Sequence, residues 1–445
     1  MKVLFISLGC DKNLVDSEEM LGLLASHGYS ITDDETAADV IVINTCCFIH
    51  DAKEESIQTI LEMAEYRKNG SCKALLVTGC MAQRYQKEIR QEIPEVDAVL
   101  GTTAFDDILE ALEKALQGSG VEEFKDINYL PLVGENRVLT TGGHFAYLKI
   151  AEGCDKHCTY CIIPKLRGNY RSVPMERLIA QAEYLAKQGV KELILVAQET
   201  TIYGTDLYGK KSLHVLLNKL CEISGIQWIR VLYCYPEEIY DELIQTMKVQ
   251  PKICHYLDLP IQHASDRILK RMGRRTSKAQ LVEIVNKLRA EIPDITLRTT
   301  LITGFPGETQ EDHEELMAFV DEMEFDRLGV FTYSPEEDTP AAEMPNQIDE
   351  EIKKDRQAEL MELQQEISLD KGTDKIGQKL LVMIEGKVAD ENAYVGRTYA
   401  DAPNVDGYIF VNTGELLISG DFARVVVTGA LEYDLIGELE DEYTE

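Results

Sequence analysis

The chain has 445 residues, with 45 Lys+Arg against 78 Asp+Glu and a formal net charge of −33 at pH 7. That length predicts about two to three domains, and a 44% hydrophobic fraction supplies a core and excludes a disordered chain. So negative a balance weighs against a general nucleic-acid binder, whose phosphate partners demand Lys and Arg, and no direct DNA binding is expected.

The first stretch alternates apolar runs with helical patterns. Strands are predicted at 2–8, 40–44, 74–78 and 96–100, and helices over 16–27, 52–68, 84–92 and 105–117. This β-α repetition implies a parallel sheet covered by helices, with ligands at the carboxyl ends of the strands. Cys10, Cys46 and Cys80, about 35 residues apart, each lie just past such an end. Cys72 precedes its strand and is expected at the opposite edge, and Cys47 is expected to point elsewhere. Between 118 and 143 the pattern breaks at Gly134, Gly142 and Gly143, which reads as a linker. A second β-α series follows, with strands at 146–150, 192–197, 229–233, 255–259, 296–302 and 328–332 and helices such as 174–188 and 278–291. Six units suggest a partial TIM-type barrel with its working groups on the loops after the strands. A polar helix over 349–369 is expected to lead away from it. Short strands at 379–384, 393–398, 408–411 and 423–428 then read as a small all-β barrel. The domains are therefore 1–118, a linker at 119–139, 140–370 and 371–441, in an α/β chain. No apolar run approaches the ~18 residues of a membrane span, and no secretory leader is read at the start. Eleven cysteines are few and odd in number. A reducing cytoplasm is expected, where grouped cysteines hold metal or react. Core packing is the default for Cys47, Cys72, Cys221, Cys234 and Cys254.

The strongest chemical signal is Cys154-Asp155-Lys156-His157-Cys158-Thr159-Tyr160-Cys161, which follows the first barrel strand through Ala151-Glu152-Gly153. Three thiolates without a fourth suit a [4Fe–4S] cluster with one open iron. The competing reading is a zinc knot that uses His157 as fourth ligand. The spacing, with an aromatic before the last cysteine, resembles the radical S-adenosylmethionine (SAM) superfamily. That resemblance implies that the open iron chelates SAM and that one electron cleaves it to a 5′-deoxyadenosyl radical. The strings Leu8-Gly9-Cys10-Asp11-Lys12-Asn13, Asn44-Thr45-Cys46-Cys47 and Thr78-Gly79-Cys80-Met81 look like the cluster-binding segments of the methylthiotransferase family. This implies a second [4Fe–4S] cluster on Cys10, Cys46 and Cys80, carrying the sulfur that is transferred. No catalytic residue beyond the six cluster ligands is assigned.

Strings after the later strands continue the match: 257–265 with 272–274, and 298–309. Ala197-Gln198-Glu199-Thr200 stands where radical SAM enzymes hold the SAM amino group. His263 reads as a structural histidine ahead of a proton donor, and Arg167, Arg171, Arg274 and Arg275 as holders of a carboxylate or equally as solvated or paired residues. The terminal barrel resembles the TRAM domain, an OB-like barrel often used on RNA. Tyr394, Tyr399, Tyr408 and Phe410 offer stacking faces there, but residues 372–445 carry 15 acids and 5 bases. The strings 331–337 and 396–407 resemble the bacterial RimO-type branch, which modifies an aspartate β-carbon of small-subunit ribosomal protein twelve. That branch implies a basic protein substrate, an electron donor and a sulfur source as partners, with acids such as Asp401, Asp406, Glu432 and Asp434 meeting the substrate. The alternative is a tRNA adenosine methylthiotransferase acting at C2 of N6-isopentenyl- or threonylcarbamoyl-adenosine, for which a more basic terminal barrel is expected.

Overall fold

Six parallel strands form the N-terminal sheet, in the order Ser30–Ile31, Lys2–Ser7, Val40–Thr45, Ala74–Gly79, Ala98–Leu100, Val121–Glu123. The computed structural model describes residues 1–131 and 136–441; Gly134, read as linker punctuation, lies outside them. Val40–Thr45 and Ala74–Gly79 are buried at every position, as strands covered on both faces must be. The two outermost strands were not anticipated. One is a two-residue exposed pair and the other carries two glutamates, so neither has an apolar signal. Val121–Glu123 lies inside the stretch read as linker. Two helices begin earlier than their periodicity suggests: Asp11–Ser26 starts directly after Cys10, and Cys80–Glu92 starts at Cys80 itself.

The central sheet is also all-parallel, in the order Arg327–Thr332, Thr296–Thr303, Ile253–Asp258, Trp228–Val231, Glu192–Val196, Phe145–Lys149. Side chains alternate along its strands. Ala146 and Leu148 pack outward among the helices, while Phe145 and Tyr147 join Ile194, Val196, Trp228 and Tyr256 in a separate inner cluster. Six strands do not close a barrel, and the other two units fill the gap. Leu14 and Val15 of the first helix pack into that inner cluster, as do Met383, Ala402 and Phe422 of the terminal barrel.

The polar helix Glu350–Thr373 does not lead away, contrary to expectation. It lies along the last barrel strand, where Gln357 Nε2 donates to Val330 O at 2.6 Å and Lys353 Nζ to Tyr333 O at 2.9 Å. Gln364 Nε2 donates to Phe325 O at 2.9 Å. Its buried polar residues thus satisfy carbonyls at a sheet edge that would otherwise be open.

The terminal unit is a closed five-stranded barrel of Lys379–Lys387, Ala393–Arg397, Ile409–Asn412, Leu435–Leu439 and Phe422–Ala430. The fifth strand, Leu435–Leu439, was not foreseen. This barrel plugs the amino-terminal end of the central strands. Arg397 lies between Glu192 at 2.7 Å and Glu385 at 2.5 Å, and Arg230 binds the other oxygen of Glu192 at 2.8 Å. Arg327 pairs with Asp401 at 2.5 Å, Arg298 with Asp406 at 3.3 Å, and Tyr256 OH donates to Asp406 at 2.7 Å. Trp228 meets Phe422 edge-on at 4.8 Å.

Asp401 and Asp406 are therefore interior partners of arginines and do not wait for a basic substrate, as the charge balance had suggested. Asp434 accepts from the Tyr408 N–H at 2.7 Å, which leaves Glu432 as the exposed one of the four. Asp401→Lys sets two cations against each other inside this interface and should cost about 3–5 kcal/mol. Glu432→Lys should change stability by less than about 0.5 kcal/mol. Urea unfolding of both variants checks the contrast, and two neutral results would rule out the interface described.

Candidate functional site

Each cysteine of the first trio is aimed by a strand end and fixed by the residues that flank it. Gly9 has φ +88, and a Cβ there would stand 2.6 Å from Cys46 Cβ, so glycine lets the first and second segments touch. Asn13 Nδ2 donates to Leu8 O at 2.9 Å and Thr45 O at 3.0 Å, tying the same two segments. Ser56 clamps Cys46 by accepting from its N–H at 3.0 Å and donating to its carbonyl at 2.8 Å. Thr45 Oγ1 donates to Thr78 O at 2.6 Å, joining the second strand end to the third. Cys10 is exposed, and Cys46 and Cys80 are buried. Burial pushes the Cys46 thiol up to about 12, and the neighbouring Cys80 and Cys10 add to it. Burial also raises Cys80, while the Arg167 guanidinium, within hydrogen-bonding reach, works the other way. Cys47 is fully buried in the core cluster that holds Cys80.

The second trio is a loop clamped on several sides. Gly153 has φ +80, and a Cβ there would lie 2.1 Å from Asn169 O. Cys154 N–H donates to Gly168 O at 3.1 Å, Thr159 N–H to Met272 O at 2.9 Å, and Thr159 Oγ1 to Arg271 O at 2.8 Å. Thus the 272–274 string meets the cysteine loop, as its position after a strand predicts. Burial raises Cys154 to about 11 and raises Cys161 further, with the neighbouring cysteines adding to both. All six cysteines carry free thiols. His157 is exposed at φ +53, and no group of His, Cys, Asp or Glu among the described residues is set around a point for one metal ion. Two sets of three thiols, each set mutually neighbouring but not converged on one point, match the donor chemistry of a cubane, whose irons are separate corners.

One buried quartet joins the trios. Arg167 Nη1 binds Asp16 at 2.8 Å and Glu152 at 3.0 Å, and its Nη2 binds Asn13 Oδ1 at 2.5 Å. Lys149 pairs with Asp16 and with Glu152, the latter at 2.9 Å. Burial works to raise the Glu152 carboxyl, and Arg167 and Lys149 overcome it and hold it far below the usual range. Arg167 follows Cys161 by six residues on the short helix Ile163–Arg167, whose Leu166 packs in the core cluster of Cys80. A second tie runs from Arg84 to Glu336 at 3.4 Å and to Glu337 O at 2.7 Å, so the 331–337 string also holds the N-terminal sheet to the barrel.

Gln198 Nε2 donates to Glu152 Oε1 at 2.7 Å, leaving Gln198 Oε1 buried without a partner. Glu199 Oε1 accepts from the Thr201 N–H at 2.9 Å, and its Oε2 is likewise buried and unpartnered. Burial raises Glu199 to about 7. Two idle acceptors near Cys154 fit an ammonium donor such as the SAM amino group. Arg274 stacks over the Tyr235 ring at 4.2 Å and donates to Pro260 O at 2.9 Å, with Nε and Nη1 unpartnered. Tyr235 OH lies 3.5 Å from Cys158 Sγ. Tyr235 was not singled out from the sequence, though its place after the strand Trp228–Val231 was a usable signal. His263 is fully buried, takes the Ser265 N–H on Nδ1 at 3.0 Å and faces Glu308 at 3.6 Å, which favours a structural role. Arg171 donates to Asn169 O at 2.5 Å, and Arg275 is exposed. Tyr394 is in the terminal barrel's core and Tyr399 OH donates to Asp294 O at 2.9 Å, so of the four aromatics Tyr408 and Phe410 are left to line a surface groove.

Profiles of known families cover most of the chain. The uncharacterized protein family UPF0004 matches residues 2–101, the Radical SAM superfamily 148–320, and the TRAM domain 376–439. The chain is 66% identical over 440 residues to the ribosomal protein uS12 methylthiotransferase RimO of Lachnoclostridium phytofermentans, spanning 99% of this chain and 100% of that one. It is 53% identical over 439 residues to the protein of the same name from Pelotomaculum thermopropionicum, spanning 98% and 99%. Among solved structures, the radical SAM methyltransferase TsrM of Kitasatospora setae superposes with a TM-score of 0.55 at 12% identity over 76% of each chain, a likeness of fold.

Beside the quartet, Glu19 is buried on the first helix, and burial lifts its carboxyl from 4.5 to about 7. The protonated form is the one the fold prefers, so folding loses about 3 kcal/mol as pH rises from about 4.5 through 7. Glu19→Gln should therefore stabilise the protein at pH 8 and change little near pH 4, as thermal unfolding across that range would report.

Proposed function

This chain belongs to the family of ribosomal protein uS12 methylthiotransferases, and from that premise we propose that it attaches a methylthio group to the β-carbon of an aspartate of uS12. The protein is a radical SAM enzyme that works with SAM and [4Fe–4S] clusters. Cys154, Cys158 and Cys161 would hold one cluster, and Cys10, Cys46 and Cys80 the other. When bound, these groups supply one-electron cleavage of SAM to a hydrogen-abstracting radical and a carrier for the transferred sulfur. Such chemistry is needed because no side-chain base removes a proton from an unactivated carbon at neutral pH.

The chain's own residues bind, orient and exclude water. Glu199 Oε2 and Gln198 Oε1 are the acceptors for the SAM ammonium, and Arg274 is the cation for its carboxylate. Tyr235 OH is a donor to the Cys158 sulfur. Phe145, Trp228 and Phe422 pack together at the far end of the barrel, which helps to exclude water there. The observation that supports the reading is the Asp16–Arg167–Glu152 bridge, which links the segments of Cys10, Cys46 and Cys80 to those of Cys154, Cys158 and Cys161. An external one-electron donor and a source of sulfur complete the partners, and the cytoplasm, where ribosomal proteins are made, is the compartment. The tRNA alternative finds little support in a terminal barrel whose Arg397 is already paired with two glutamates.

Replacing Cys154, Cys158 and Cys161 with Ala should abolish SAM cleavage. Replacing Cys10, Cys46 and Cys80 should spare cleavage and stop methylthio transfer to uS12. Product analysis by mass spectrometry separates the two, and loss of cleavage in both triple variants would contradict distinct roles.

A further inference from the structure

Most cations around the two trios already have carboxylate partners. Lys149 and Arg167 share Asp16 and Glu152, Lys156 binds Glu238, and Arg84 binds Glu336 at 3.4 Å. Lys12 does not. It lies two residues past the exposed Cys10, with its side chain 9% exposed. Its Nζ stands 3.2 Å above the centroid of the Tyr233 ring. The nearest carboxylate oxygen is Asp11 Oδ1 at 3.9 Å, beyond hydrogen-bonding distance. That oxygen already accepts from Tyr233 OH at 3.0 Å, and Asp11 Oδ2 is buried without a partner.

Tyr233 is held for this purpose by the barrel. It follows the strand Trp228–Val231 with φ +59, a left-handed conformation that a non-glycine residue keeps only when its surroundings hold it there. Its N–H donates to Asp258 Oδ2 at 3.1 Å, and its carbonyl accepts from Thr200 N–H at 3.0 Å. The ring therefore forms a fixed shelf beneath a lysine that belongs to the N-terminal unit. An ammonium on an aromatic face keeps N–H donors free on its open side, and a largely desolvated cation with only a long carboxylate contact favours an incoming anion.

We propose that Lys12 is the anchor for the side-chain carboxylate of the substrate aspartate, with Asp11 Oδ2 accepting an N–H of the same substrate segment. The assignment rests on the proposed function. In an aspartate the carboxylate is one bond from the β-carbon. Gripping it beside Cys10 would bring that carbon toward the sulfur-bearing trio. A lysine here also discriminates: asparagine at the target position offers the ammonium no charge to pair.

The test uses the full enzyme with both clusters and intact uS12. Lys12→Met keeps the aliphatic stem over Tyr233 and removes the charge, and Lys12→Arg restores it. Iron and sulfide content and the cluster spectra serve as controls for folding. In Lys12→Met the KM for uS12 should rise about tenfold or more, with Lys12→Arg recovering much of the loss. Changing the target aspartate of uS12 to Asn should weaken binding to the wild-type enzyme and make no further difference to Lys12→Met. A Lys12→Met enzyme with full clusters and unchanged KM, beside an active wild type, overturns this assignment alone, as does an equal Asn penalty in both enzymes. A wild type that leaves uS12 unmodified overturns the proposed function and this assignment with it.

Discussion

Two carboxylates and two cations, Asp16 and Glu152 with Lys149 and Arg167, are buried where the N-terminal unit meets the barrel, and the geometry of the site depends on them. Taking four charges out of water is expensive, and their mutual attraction returns that cost only in good geometry. The quartet is therefore better understood as a registration device than as a source of stability. Asp16 comes from the first helix, Glu152 and Lys149 from either side of the first barrel strand's end, and Arg167 from the turn of helix after Cys161. A shift of either unit leaves a buried charge unpaired. Because Cys10 precedes the helix of Asp16 and Cys154 follows Glu152 by two residues, the pairing fixes one thiol trio relative to the other.

A second layer of ion pairs does the same at the opposite end of the barrel. Six strands leave a gap that side chains from the strands alone do not fill. The terminal barrel supplies Met383, Ala402 and Phe422 to the interior, with Arg397, Asp401 and Asp406 as its polar fasteners. This changes the meaning of the charge. Part of the acidity of residues 372–445 is neutralised internally, and what faces solvent is a smaller excess. The 396–407 and 331–337 strings, which resemble the RimO-type branch, turn out to hold the three units together.

Much of the architecture was legible because parallel strands buried on both faces read as unbroken apolar runs. Val40–Thr45, Ala74–Gly79 and Glu192–Val196 are such cases. The edge strands Ser30–Ile31 and Val121–Glu123 were not, since an exposed pair and a valine followed by two glutamates carry no periodicity. The helix Glu350–Thr373 was found but misdirected: Lys353, Arg356 and Gln364 look like solvent-facing residues until the carbonyls they satisfy are known. The six cysteines were legible from their spacing and from their place after strands. Lys12 and Tyr233 were not, because the contacts that give them meaning join segments as much as 222 positions apart.

The central claim is that Arg167 keeps the two trios working as one site. The direct measurement is the ratio of methylthio-uS12 formed to SAM cleaved by the reconstituted Arg167→Met enzyme, with iron content as the control. Retained clusters and retained SAM cleavage with methylthio transfer reduced at least about tenfold would bear the account out. Transfer at the wild-type ratio would contradict it.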